Sequence, residues 1–162
     1  MEPRITLQEA PKGLYDAMIN IETYLKKCGI DHSLIELIKI RASQINGCGY
    51  CLDMHHKDAL REGESIQRLY LLPAWKESPV YSEEEKVVLN LTEVLTTISE
   101  SDPEVIAEAY DRVAAHYSKE QIANLVLAIC QINSWNRIAI TFGSVPGTYK
   151  VNGVAAPAKV NV

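Results

Sequence analysis

Cys48, Cys51 and His55 are the residues whose types and spacing carry chemistry, in the stretch Ile45-Asn46-Gly47-Cys48-Gly49-Tyr50-Cys51-Leu52-Asp53-Met54-His55. On an α-helix each residue advances about 100°, so the two sulfurs and the imidazole fall within roughly 60° of one another and share one face. His56 falls about 140° from Cys51 and is the poorer partner. Asn46-Gly47 and Gly49 interrupt the helical pattern just before Cys51, which puts Cys48 at or before a helix's first turn. Thiols there meet unpaired amide hydrogens and the positive end of the helix dipole, which favour the thiolate and can bring a cysteine from about 8.5 into the range of roughly 3.5–7.5.

Three chemistries fit such a trio. Structural zinc uses thiolates and imidazoles but needs a fourth ligand, and His32, His56 and His116 stand at no matching spacing. Two buried structural thiols are a second reading. The third, a catalytic dithiol, accounts best for a Cys-x-x-Cys at a helix start with a histidine one turn beyond. Cys-Gly-Tyr-Cys has the spacing of thioredoxin-like motifs, yet those follow a strand in a βαβ unit, and helical segments flank this one. No cofactor and no metal is expected.

The elements that must position the trio are helical. Pro11 opens a helix through Leu14, Met18, Ile21 and Leu25 that ends at Cys28-Gly29. Asp31 caps a second through Leu34, Ile35, Ile38, Ala42 and Ile45, and this one carries Glu36. The cysteine helix runs from about Cys48 to Glu62, a short helix covers Ser65 to Leu72, and Trp75 to Tyr81 reads as a loop. Ser82 with Glu85, and Ser118 with Gln121, are capping boxes; Asp102-Pro103 supplies an N-cap and first-turn proline between them. The helix after Ser118 stays apolar through Ile138 and Ile140 on much of its circumference, so it is either central or pressed against another chain. No strand alternation competes. The expected fold is all-α, a single-domain array of about six or seven helices over residues 1–143, followed by a tail at 144–162 that is either mobile or laid on a neighbouring subunit.

Composition narrows the function. The chain has 162 residues, 47% hydrophobic and 23% charged, enough for one substantial core. A net charge of −5, with Lys26-Lys27 the densest basic pair, points away from nucleic acid. Neither a secretory leader nor a membrane-length apolar run is visible, so the expected compartment is the cytoplasm, with no membrane partner. There, close cysteine pairs are catalytic or metal-binding more often than structural. Cys28 and Cys130 sit in apolar helical contexts and read as small buried hydrophobes. Tyr70, Trp75 and Tyr81 read as core or rim.

The run from Glu36 through Cys51, followed by His55, resembles the core of the alkyl hydroperoxidase D-like proteins of the carboxymuconolactone decarboxylase superfamily. The family's glutamate lies twelve residues before the first cysteine, as Glu36 does, and its Cys-x-x-Cys-x-x-x-His pattern is kept. Asn133-Ser134-Trp135-Asn136-Arg137 resembles a recurring segment of the family's later long helix, although the spacing of these residues by itself suits packing. The resemblance implies a thiol peroxidase in which Cys51 meets the hydroperoxide, Cys48 resolves it into a disulfide, and Glu36 and His55 relay protons. It further implies a dithiol reductant, either a lipoyl group or a thioredoxin-like protein, and assembly into a homo-oligomer. One departure stands out: well-known members carry a further histidine where this chain has Tyr50. Dedicated decarboxylases of the superfamily work without the cysteine pair, so decarboxylation is not implied. The alternatives are a general dithiol-disulfide oxidoreductase or a redox-sensing oligomeric module without turnover.

Overall fold

The structure is a computed structural model and describes residues 2–6 and 8–151. Among these residues seven α-helices and two single-turn 3₁₀ segments account for the regular structure, with no strand. The helices are α1 (Lys12–Leu25), α2 (His32–Asn46), α3 (Gly49–Arg61), α4 (Ile66–Leu71), α5 (Glu83–Thr96), α6 (Pro103–Ala114) and α7 (Lys119–Phe142).

Local chemistry sets most of the boundaries. Asp31 accepts from the backbone N–H groups of Ser33 and Leu34, and both capping boxes, Ser82 with Glu85 and Ser118 with Gln121, form in full. Asp102 departs from expectation. Its side chain makes no capping bond, and Pro103, with its φ preset for helix, starts α6 without one. α1 stops at Leu25, before Cys28. The stop of α2 matters most for function. Gly47 adopts the left-handed conformation at φ 68°, and the N–H groups of Gly47 and Cys48 bond back to Gln44 O and Ser43 O. The chain therefore reverses within Gly47-Cys48, and Cys48 becomes the N-cap of α3.

α2 and α7 form the centre. α2 packs on α3, α5 and α7, while α7 also touches α1, α3, α5 and α6. Leu34, Ile38 and Ala42 of α2 join Val88, Leu91, Leu125, Ile129 and Ile132 in one core, and Leu37 and Ile40 join Ala59, Leu69, Leu72, Trp75, Tyr81 and Leu89 in a second. α2 is thus buried on two sides. α7 is central, as one of its two sequence readings had it. Its apolar surface is not all core, because Ile140 is exposed and Ile138 faces a cavity. Cys130 is exposed, contrary to expectation. It lies well over 90° around α7 from the stripe of Leu125, Ile129 and Ile132. Cys28 is half-buried, with its thiol donating to Leu25 O. Leu125 is fully buried between α7's neighbours, and Leu125→Ala should lower unfolding stability by about 2–5 kcal/mol, as read from urea denaturation midpoints.

Both ends of the described chain pack on the helices, one on the end of α7 and the other across α3. The Arg4 N–H donates to Phe142 O, and the Arg4 guanidinium donates to Ile140 O and Thr141 O, closing the end of α7. Residues 144–151 lie across α3 of their own chain. The Gly147 N–H donates to Asp53, the Lys57 ammonium donates to Tyr149 O, and the Tyr149 hydroxyl reaches both carboxylate oxygens of Asp58. The first part of the tail therefore packs on its own protomer, and the remainder, 152–162, lies outside the described residues.

Candidate active site

The turn at Gly47 delivers Cys48 and Cys51 to the amino end of α3, with Cα atoms 5.3 Å apart and sulfurs at disulfide distance. Cys48 Sγ accepts from the Cys51 N–H at 3.3 Å, so the first sulfur caps the helix that carries the second. Both are buried. Gly49 stands between them, and a side chain there would press on Pro146 of the tail at 3.0 Å.

His55, one turn beyond Cys51 on α3, is also buried. Its Nδ1 lies 2.9 Å from Glu36 Oε2. An ionised carboxylate only accepts, so Nδ1 carries the hydrogen and a neutral ring keeps its lone pair on Nε2. Nε2 is buried and has no hydrogen-bond partner among the described residues. His56, by contrast, turns its Nδ1 to Leu52 O. The structure thus brings Cys48, Cys51, His55 and Glu36 into one region, Glu36 from α2 and the others from α3 and its cap.

Glu36 is 4% exposed, so it is not a solvated helix-surface residue. Burial pushes its carboxyl pKa up from the usual 4.5, but the bond and charge of His55, with the charge and bond of Lys39, outweigh this and hold it at about 2. Lys39 is buried too, and burial would lower its pKa. Glu36 and Glu22 overcome that and raise it. Its ammonium donates to Glu36 Oε1 at 3.2 Å and to Glu22 Oε2 at 3.0 Å. The Trp135 indole N–H from α7 donates to Glu22 Oε1 at 3.0 Å. Sequence reasoning missed Glu22 and Lys39 and assigned Trp135 to packing. The available signal was a charged residue inside each apolar run, Glu22 beside Ile21 and Lys39 between Ile38 and Ile40. Asn136 and Arg137 are structural. Asn136 is buried and donates to Ser43, Asn46 donates to both Asn133 and Asn136, and Arg137 donates to Asn133, locking α7 to the end of α2.

The lowered Glu36 pKa makes the stability of the fold depend on pH. The unfolded carboxyl titrates near 4.5 and the folded one near 2, so the ionised group stabilises the fold above about 4.5 and the contribution is lost as pH falls toward 2. The loss should be on the order of 3 kcal/mol. Urea midpoints measured across that interval, for wild type and Glu36→Gln, check it: only wild type should show this component of the fall.

A cavity of about 680 Å³ opens beside this network. His55, Glu36, Met54, Tyr50, Tyr15 and Trp135 line it, with Ile138, Phe142 and Tyr149. Its size suits a ligand much larger than hydrogen peroxide. Neither cysteine is among its lining residues; the cavity meets the imidazole rather than the sulfurs. Tyr70, Trp75 and Tyr81 take no part in it, Trp75 and Tyr81 lying in the second core and Tyr70 exposed. Burial, then Asp53, raises the Tyr50 pKa above the usual 10. The phenol therefore keeps its proton near neutral pH and does not supply the base that the family histidine would. Among the described residues no three or more His, Cys, Asp or Glu side chains are placed to hold a metal ion, and no helix is long and apolar enough to cross a membrane.

Three kinds of similarity accompany this geometry. The uncharacterised protein YdfG of Bacillus subtilis is 48% identical over 145 residues, spanning 89% of this chain and 97% of YdfG. A crystal structure from Agrobacterium tumefaciens, of a protein of unknown function provisionally described as the antioxidant defence protein AhpD, superposes with a TM-score of 0.85 at 38% identity, covering 91% of this chain and all of that one. The debrominase Bmp8 superposes with a TM-score of 0.75 at 20% identity over 84% of this chain and 72% of its own, a likeness of fold. The model of the carboxymuconolactone decarboxylase family matches residues 12–94, the span holding Glu22, Glu36, Lys39, both paired cysteines and His55. With the all-helical array and the Cys-x-x-Cys pair, these similarities make the chain an alkyl hydroperoxidase D-like member of the carboxymuconolactone decarboxylase family.

Proposed function

We infer that the protein is a thiol-dependent peroxidase reducing organic hydroperoxides through Cys51 and Cys48, with His55 and Glu36 as proton relay. One observation carries the reading: a dithiol at the amino end of α3 stands one turn before an imidazole whose Nδ1 is held by a buried carboxylate and whose Nε2 has no partner among the described residues. In the reduced protein His55 takes the Cys51 proton, directly or through water, giving thiolate and imidazolium beside Glu36. The thiolate attacks the terminal oxygen of ROOH, the O–O bond breaks, and the departing RO⁻ takes the proton from His55, leaving Cys51 sulfenic acid and ROH. The Cys48 thiol then displaces hydroxide from that sulfur, its proton completing water, and a disulfide remains. A tethered thiol three residues away acts at high effective concentration and competes with further oxidation. An external dithiol, a lipoyl group or a thioredoxin-like protein, restores both thiols by exchange and leaves as its own disulfide.

The reducing pool of the cytoplasm would serve this cycle, and the family likeness favours residues 1–143, with the first tail residues laid over α3, acting as one catalytic domain within a homo-oligomer. A second reading rests on the cavity. Because it reaches His55 and not the sulfurs, an oxidant other than a peroxide fits a general dithiol-disulfide oxidoreductase. Peroxide consumption with a dithiol reductant, compared across wild type, Cys51→Ser and His55→Ala, separates the cases. Equal rates in all three overturn catalysis by this site. A wild type inert to peroxides but active in disulfide exchange favours the oxidoreductase.

A further inference from the structure

Behind the Glu36–His55 pair lies a chain of charged contacts that the relay does not by itself require. Glu36 Oε1 receives the Lys39 ammonium, Lys39 also reaches Glu22 Oε2, and Glu22 Oε1 receives the Trp135 indole N–H. Three helices, α1, α2 and α7, meet in this chain. Its ionic members are all shielded, with side-chain exposures of 7% for Lys39, 16% for Glu22 and 5% for Glu36. Buried ions at this depth interact strongly and are costly unless balanced. With His55 neutral, two carboxylates and one ammonium leave one negative charge in excess. That excess is cancelled only when His55 gains a proton.

We propose that Glu22, Lys39 and Trp135 are positioning residues that fix Glu36 against His55 Nδ1 and set the charge of the cluster so that the imidazole is the group which neutralises it. The inference rests on the proposed relay for its role in turnover, though not for its physical content. Lys39 occupies one carboxylate oxygen of Glu36, which leaves the other for His55. Glu22 holds Lys39, and Trp135 holds Glu22 without adding charge. Glu22 thus supplies the second negative charge; without it, Glu36 and Lys39 would form a neutral pair and protonated His55 would be an unbalanced buried cation.

Other titratable groups face His55 around the cavity. Arg61 pairs with Glu62 at 3.2 Å and Asp58 at 3.7 Å, and His32 also meets Glu62, so the far end of α3 is largely self-compensating. Tyr15, Tyr50 and Tyr149 have raised pKa values, burial being the first cause in each, and are neutral through the range in which imidazoles titrate. Lys26 on α1 is a cation on the same cavity wall, and α7 contributes no ionisable side chain to it. Glu22 and Lys39 are therefore the groups whose replacement changes the charge of the shielded cluster.

The test is an NMR titration of the His55 ring in the full-length protein with the Cys48–Cys51 disulfide formed, the state in which neither sulfur exchanges a proton with the ring, assigned by loss of its signals in His55→Ala. Glu22→Gln removes a negative charge, and the midpoint should fall, with proton affinity reduced roughly tenfold. Lys39→Met removes a positive charge, and the midpoint should rise by a similar factor. Trp135→Phe removes a hydrogen bond at constant charge and should move it less than Glu22→Gln does. A merely structural cluster gives shifts of the same sign or none, and either result overturns the proposal. Should Lys39→Met fail to fold, Glu22→Gln decides alone, an unmoved or raised midpoint being fatal. The titration needs no peroxide. A wild type without peroxidase activity would sink the proposed function while opposite shifts still establish the cluster, and active enzyme with unmoved midpoints would do the reverse.

Discussion

Cys51→Ser should lose hydroperoxide turnover by on the order of 10³-fold or more, while Cys48→Ser should complete one turnover and stop. The asymmetry follows from position. Cys51 lies inside α3 on the face of His55, one turn away, whereas Cys48 is the N-cap and is separated from His55 by two turns. Only the former is within a turn of the imidazole that would take its proton. In Cys48→Ser, the Cys51 sulfenic acid should persist, be trapped by a carbon nucleophile such as dimedone, and move to the sulfinic state as peroxide is raised. Mass spectrometry of the Cys51 peptide reads all three species. A Cys48→Ser protein that still cycles, or a Cys51→Ser protein that accumulates the sulfenic acid on Cys48, would reverse the assignment. The Ser substitutions are nearly isosteric, and both sites are buried in one core cluster, so loss of fold is separable by far-ultraviolet dichroism.

What was legible in the sequence was what is decided within a turn of helix. Ser82 with Glu85 and Ser118 with Gln121 close on each other three residues apart, and both helices begin where the pattern places them. Gly47 before Cys48 marked the turn, because a left-handed residue is what glycine tolerates. Cys48, Cys51 and His55 shared a face by helical periodicity alone. The limits were equally physical. Asp102 had the right type for a cap, yet Pro103 already sets the helix start and the side chain makes no capping bond. Cys130 sat among apolar neighbours in sequence, yet periodicity turns it outward. Glu36 was recognisable as a candidate site residue only through a family likeness, since its partner His55 is nineteen residues away on another helix. Glu22 and Trp135 are 113 residues apart. No local pattern links an acid on the first helix to an indole on the last, and the tail residues crossing α3 contact positions more than ninety residues earlier.

Glu36→Gln should lower the rate of Cys51 oxidation at neutral pH by about 10²–10³-fold, within the range typical of general acid–base catalysis, and should weaken the fold at the same time. Both effects have one origin. Glu36 is the anion that holds the His55 N–H at 2.9 Å and the Lys39 ammonium at 3.2 Å. An amide of the same shape offers one acceptor in place of two and no charge, so either Lys39 or His55 faces an N–H₂ donor. If His55 loses its acceptor, the tautomer with the lone pair on Nε2 is no longer selected and the imidazolium is no longer stabilised. Lys39 keeps Glu22, which limits the stability loss to roughly 3 kcal/mol rather than the full cost of an unpaired buried cation. The pH dependence separates relay from scaffold. With its carboxyl held at about 2, Glu36 is ionised throughout the working range and contributes no limb of its own to the wild-type profile above about pH 4.5. In Glu36→Gln the rate should therefore recover as pH rises and hydroxide deprotonates the thiol without help, the deficit shrinking toward the ordinary cysteine value near 8.5. A deficit that stays constant from neutral pH to beyond that value would assign Glu36 to the scaffold and remove it from the relay.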